Sequence, residues 1–199
     1  MTSDDITIHR GLTGVYFDRS ATTFIDGKEG VLEYRGYNIN QLAEHSTFEE
    51  TGYLLIHGKL PTQTELNEFD AELKAARELP EQVFDVLELV KDSHPMDALR
   101  TAVSALASFD EDRNDNSPEA TIRKGNRLTS QVPSIVMAHH NIRQGKDPIK
   151  PSTVLNHAGN FLYMLNGDEP SAATAELMDK DFVLHADHGS NASAFTARV

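Results

Sequence analysis

The chain has 199 residues, 39% hydrophobic and 25% charged, with 8 Pro, 12 Gly, no Cys and no Trp. That length fits one domain or two small ones and allows burial of roughly 70% of the surface an unfolded chain exposes. The composition excludes collagen-like, low-complexity and wholly disordered classes. With 31 acidic against 18 basic side chains the formal charge is -13, which opposes nucleic-acid binding. The lack of Cys removes disulfides, thiolate metal sites and a Cys nucleophile together. MTSDDITIHR contains no apolar run of the signal-peptide kind, and no stretch approaches the roughly 20 apolar residues of a membrane span; the expected setting is the cytoplasm, with no membrane partner.

Residues 1–37 are expected to form a segment of short strands and hairpins, because ITIHRGLTGVYFDRSATTFIDGKEGVLEYRGY mixes β-branched residues with Gly, and Asp26-Gly27 is a hairpin-tip signal. After Tyr37 the period changes from about 2 to about 3.6, and residues 38–199 are expected to be helical. Ser46 and Glu49 have capping-box spacing ahead of FEETGYLLI, which should stop at Gly58. Thr62 and Glu65 repeat that spacing ahead of a helix with Leu66, Phe69, Leu73 and Ala76 on one face, ended by Pro80.

Val83, Val86, Leu87 and Val90 mark a further amphipathic helix, and Met96, Leu99, Val103 and Leu106 another after Ser93-His94-Pro95. The polar run Asp110 to Pro118 reads as a surface loop. Ser117-Pro118 then opens a long helix through Ile122, Leu128, Ile135 and Val136, in which Pro133 predicts a kink or break. Asn141 to Pro148 reads as a connection. Ser152 opens a segment with Leu155, Phe161, Leu162 and Leu165 that closes at Asn166-Gly167, and Ser171 opens one running to about Leu184. Asp187-His188-Gly189 interrupts the pattern, which resumes from Asn191 to Val199 with no capping signal, as in a chain cut within an element.

Nine His in an acidic chain invite a chemical reading. His9, His45, His57, His139 and His140 lie at segment ends or on polar faces and read as solvated or packed rings. His94 reads as a cap of the helix that follows it, with a substrate role as the alternative. His185, Asp187 and His188 form H-x-D-H, a possible ligand group, although the spacing matches no zinc signature. The other reading puts His188 just before a helix N-terminus, where the partial positive charge keeps an imidazole neutral and able to hydrogen-bond a developing oxyanion. His157, one turn before Phe161, is either a satisfied core His or a substrate ligand.

The runs EYRGYNINQLAEHSTFEETGYLLIHGKLPT, HPMDALRTAVSAL, HAGNFLYMLNG and HADHGSNASAFTAR resemble the citrate synthase family, in order and at similar separations, over essentially the whole chain. The resemblance implies a mainly α, citrate synthase-like multi-helical fold with short N-terminal β-hairpins, here an incomplete large domain lacking the small domain. It implies condensation of acetyl-CoA with oxaloacetate and water to give citrate and CoA, in a homodimer or higher homo-oligomer. No metal and no cofactor are expected, acetyl-CoA being a substrate.

By the same resemblance His188 falls on the catalytic His that stabilises the enol, and His157 on an oxaloacetate-binding His. The second catalytic His, the catalytic Asp and the carboxylate-binding arginines are expected beyond Val199, so that the 199 residues alone should be inactive and poorly soluble. A 2-methylcitrate synthase using propionyl-CoA differs by one methylene, worth only about 1–3 kcal/mol of discrimination. Two other readings are a truncated, non-catalytic relative that acts by dimerising, and a helical metal-binding protein using His185, Asp187 and His188.

Overall fold

The computed structural model describes Gly14, residues 19–190 and residues 192–198. Most of the strands expected before residue 19, together with His9, Asn191 and Val199, lie outside the described residues. Strand β1 (Thr23–Asp26) and strand β2 (Val31–Tyr34) pair antiparallel, and β3 (Tyr37–Asn38) adds to β2. Asp26 shapes the first turn by accepting from the backbone N–H of Lys28 and Glu29 at 2.9 and 3.1 Å. The second turn is two residues long, Arg35 at φ 51° and Gly36 at φ 86°. Such a tight hairpin requires both residues in the left-handed region. Arg35 is held there by its N–H to Thr22 O (2.7 Å) and by its guanidinium, which donates to Leu55 O.

Nine helices follow among the described residues: α1 (Ile39–His45), α2 (Phe48–His57), α3 (Gln63–Ala75), α4 (Glu81–Leu89), α5 (Pro95–Leu106), α6 (Pro118–Arg143), α7 (His157–Asn166), α8 (Ala172–Leu184) and α9 (Ala192–Arg198). The fold is mainly helical with one small sheet, as expected from the period change after Tyr37. Three apolar clusters hold it. Val83, Leu87, Ala102, Leu106, Ile135, Ala138 and Ile142 join α4, α5 and α6. Tyr34, Ile39, Leu42, Leu54 and Val183 join the sheet to α1, α2 and α8, while Tyr53, Phe69 and Leu73 join α2 to α3. Each large side chain so buried contributes about 1.5–3 kcal/mol.

Several boundaries differ from expectation, each for a physical reason. The capping box of α2 is Thr47 with Glu50, one residue later than Ser46 with Glu49. Both pairs have the spacing, but only the Thr47 register frees Glu49 to point inward, where it is 5% exposed. α3 ends at Ala75, so Pro80 starts α4 instead of ending α3. α6 continues without a break through Pro133 and extends to Arg143, leaving the connection to begin at Gln144. α7 starts at His157 under an Asn156 cap. Ser152 does not cap a helix: its hydroxyl accepts from Val154 N and Leu155 N in the preceding loop.

The buried seams also differ in character from the apolar ones read in the sequence. In α5 they are Ala98, Ala102 and Leu106, with Met96 63% exposed. In α6 and α7 small and polar residues, among them Ser130, Ser134, Ala158 and Gly159, take the inner positions. Small residues let helix backbones approach closely, and buried serine and asparagine are tolerated where they find a partner: Ser134 donates to Arg77 O (2.8 Å) and Asn141 to Met164 O (2.9 Å).

Candidate functional site

His157 occupies the first position of α7, and its backbone N–H, which has no acceptor within its own helix, donates to Glu49 Oε1 of α2 at 2.8 Å. Its ring stacks on Phe48 with centroids 4.4 Å apart and meets Phe182 edge-on at 5.5 Å. Only 5% of the residue is exposed. Burial, reinforced by the charge of Arg77, holds the imidazole neutral with a pKa near 4. Its Nδ1 has no protein hydrogen-bond partner.

Arg77, 1% exposed in the α3–α4 connection, ties down the segment before α7. Nη1 donates to Ser152 O (2.7 Å) and Leu155 O (2.8 Å), while Nε and Nη2 have no protein partner. The backbone N–H of Phe48 is met by Asp179 of α8, whose two carboxyl oxygens accept from Phe48 N at 3.3 Å each. Burial pushes Asp179 up to about 6, opposed by that N–H and assisted by Glu49, Glu50 and Glu176. Glu49, Arg77, Asp179 and His157 therefore form a buried polar node joining α2, α7 and α8 to the α3–α4 connection. Sequence reading found only His157 of the four. Arg77 and Asp179 carry no local signal, since each looks like one more charge on a helix surface.

His188 is placed quite differently. It is exposed, in the turn between α8 and α9, immediately before Gly189 at φ 72°. The turn is anchored by its neighbours: Asp187 N donates to the Tyr34 hydroxyl (3.3 Å), that hydroxyl donates to Leu184 O (3.1 Å), and Thr23 Oγ1 donates to Asp187 Oδ2. A cleft of about 310 Å³ borders the turn, with Phe48, Gly52, Phe69, Thr129 and Asp187 in its walls. Phe48 thus lines the cleft and covers His157, which does not line it. The structure does not bring the two sequence-predicted site residues together in one surface.

The H-x-D-H group does not converge either. His185 Nδ1 turns back to Asp181 O at 2.8 Å while Asp187 faces Thr23, and no cluster of three potential ligands exists among the described residues. His94 caps α5 through Nδ1, which accepts from Met96 N at 3.2 Å. His57 stacks on Tyr53 and His139 is buried, with its pKa lowered by that burial. The guanidinium groups of Arg35, Arg77, Arg123 and Arg127 donate to protein oxygens. No described helix is long and apolar enough to cross a membrane.

Known proteins resemble this chain in sequence and fold. The family described as citrate synthase, C-terminal domain, matches residues 11–199. A citrate synthase of Deinococcus radiodurans is 49% identical over 191 residues, 96% of this chain and 51% of that protein. A 2-methylcitrate synthase of Mycobacterium tuberculosis is 37% identical over 193 residues, 96% of this chain and 49% of that protein. The crystal structure of citrate synthase from Pyrobaculum aerophilum superposes with a TM-score of 0.91 at 37% identity, covering 96% of this chain and 50% of that one. The chain thus spans about half the length of these relatives, and it belongs to the citrate synthase family.

Proposed function

We propose that the chain forms part of an enzyme that condenses acetyl-CoA with oxaloacetate and water to give citrate and CoA, and that His188 is the residue it presents to substrate. The observation carrying this reading is the exposure of His188 on an anchored turn beside a cleft, in a chain of this family. The reaction removes a proton from a thioester methyl group far too weakly acidic for a carboxylate base acting alone in water. A hydrogen-bond donor aimed at the thioester oxygen stabilises the charge as it forms on that oxygen. The methyl carbon then bonds to the oxaloacetate carbonyl carbon, and water cleaves the thioester to release CoA. In the first reading His188 is that donor.

The burial of His157 favours a second role for His188. A ring covered by Phe48 and Phe182 offers oxaloacetate no face, so the hydrogen bond to oxaloacetate expected of His157 passes to His188, and His157 acts only by holding α7 against α2. The two readings separate kinetically. In the reading frame containing this chain, His188→Asn lowers kcat with little change in KM for oxaloacetate if the ring serves the thioester. It raises KM for oxaloacetate if the ring serves that substrate. Full activity in His188→Asn, followed as CoA release, overturns both.

Use of propionyl-CoA to form 2-methylcitrate is the alternative supported by the Mycobacterium tuberculosis relative, and the ratio of kcat/KM for the two thioesters decides it. The proposal includes a homodimer or higher homo-oligomer, checked by light scattering, and a cytoplasmic setting. It requires no cofactor besides the thioester substrate.

A further inference from the structure

The small N-terminal sheet is joined to the His188 turn by one rung of its ladder. Thr23 of β1 and Tyr34 of β2 are direct cross-strand partners, so their side chains rise from the same face. Both reach the segment 184–187, 150 to 164 residues away in sequence. The Tyr34 hydroxyl uses both of its capacities there, donating to Leu184 O at the end of α8 and accepting from Asp187 N. Thr23 Oγ1 adds the third contact, to Asp187 Oδ2. Tyr34 itself is fully buried within the cluster of Ile39, Leu42, Leu54 and Val183, so the anchor point is fixed by the core. On its far side His188 is followed by Gly189 in the left-handed conformation.

We infer that Tyr34 and Thr23 are positioning residues for His188: the rung holds Asp187 by its backbone and its side chain, and so sets the direction in which the adjacent imidazole leaves the turn. This rests on the reading of His188 as the substrate-facing residue. A ring on an untethered turn spends most of its time outside the narrow range of geometries a substrate oxygen can use, and fixing the residue before it removes most of that freedom. No other side chain in the described structure donates to Asp187 or accepts from its N–H.

The test uses the whole protein of the reading frame that contains this chain, with Tyr34→Phe, Thr23→Val and Thr23→Ser. Tyr34→Phe removes the hydroxyl and keeps the ring in the core; Thr23→Ser keeps the donor that Thr23→Val deletes. Amide hydrogen exchange at Asp187 should accelerate about tenfold in Tyr34→Phe, the effect of losing roughly one hydrogen bond, with a much smaller change at Leu54 and Val183. The picosecond order of the His188 amide should fall in Tyr34→Phe and Thr23→Val and return in Thr23→Ser. Equal acceleration at Leu54, Val183 and Asp187 would assign Tyr34 a purely structural role, and unchanged exchange and order at the turn would end the proposal.

A titration with oxaloacetate, read at the His188 ring carbon protons, keeps this separate from the function itself. If the wild-type ring does not respond, the substrate-facing role of His188 fails, while the exchange data still decide whether the rung holds the turn.

Discussion

The backbone N–H of His157 and the side chain of Glu49 are joined across 108 residues of sequence by a 2.8 Å hydrogen bond. The bond closes the start of α7 onto the first turn of α2, where the box of Thr47 and Glu50 leaves Glu49 facing inward.

The two neighbouring acids of α2 should therefore behave differently. Glu50 sits in the local box, and Thr47→Ala or Glu50→Ala should cost about 1 kcal/mol, the ordinary worth of a cap. Glu49→Ala strips a buried donor of its partner and should cost about 2–3 kcal/mol. Urea denaturation of the three variants checks the order. A cost for Glu49→Ala no larger than that for Glu50→Ala would mean that the α2–α7 bond adds nothing beyond a cap.

Asp179 contacts the backbone N–H of Phe48 and His157 its ring, and the two impose opposite pH dependence. His157 has its pKa depressed to about 4, so its contribution to stability is present above its ordinary value near 6.5 and is lost as pH falls toward 4. Asp179 has its pKa raised to about 6, so its contribution is present below about 4 and is lost as pH rises through 6. In the wild-type chain the two slopes offset each other over the same window. Asp179→Asn should make stability relative to wild type increase with pH between 4 and 6.5, and His157→Gln should make it decrease, each by on the order of 1–3 kcal/mol. Denaturant midpoints at pH 4.5, 5.5 and 7 check both signs. Parallel pH profiles for wild type and either variant would contradict the assigned shift.

Sequence signals were reliable wherever structure is local. The Asp26-Gly27 turn, the Thr62–Glu65 box, the Ser117-Pro118 start and the Gly167 stop each depend on a few adjacent residues, and all stand where expected. Apolar periodicity found Leu106 and Ile135 in the core and Leu99 and Val103 against it, but missed the inner Ala, Ser, Gly and Asn positions of α5, α6 and α7, which hydrophobicity ranks as neutral. The four motifs identified the family because they are long and ordered. The choice between a core and a substrate-binding His157 was not legible, since it depends on Phe48 and Phe182, which pattern reading treats as core residues of other helices.

Two helical glycines should respond in different ways to the same change. A methyl group on Gly125 in α6 meets nothing within 4 Å, so Gly125→Ala should gain up to about 1 kcal/mol from reduced backbone freedom. At Gly159 it would stand 2.7 Å from Asn156 Oδ1, the atom that caps α7 by accepting from Gly159 N. Gly159→Ala should therefore lose the cap, worth about 1 kcal/mol, and cancel or reverse the same helical gain. Thermal melts of the two single variants and of Asn156→Ala suffice. A stabilised Gly159→Ala protein would show that Asn156 gives way without cost.

Arg77 contributes charge and geometry at once, and substitution separates them. Arg77→Met removes both, so the pKa of His157 should rise above 4 but stay below 6.5, because burial is the larger cause of its depression and Arg77 the lesser. It also leaves Ser152 O and Leu155 O without their donor, at a cost of about 2–4 kcal/mol. Arg77→Lys keeps the charge on a compact head that cannot reproduce the planar fork, so stability should fall while His157 titrates as in the wild type. Carbon-proton NMR of the His157 ring across pH 3 to 8, beside a denaturation curve for each variant, resolves the two effects. If Arg77→Met leaves the titration where it was, the depression belongs wholly to the enclosure by Phe48 and Phe182, and Arg77 acts on the site only by fastening the loop ahead of α7.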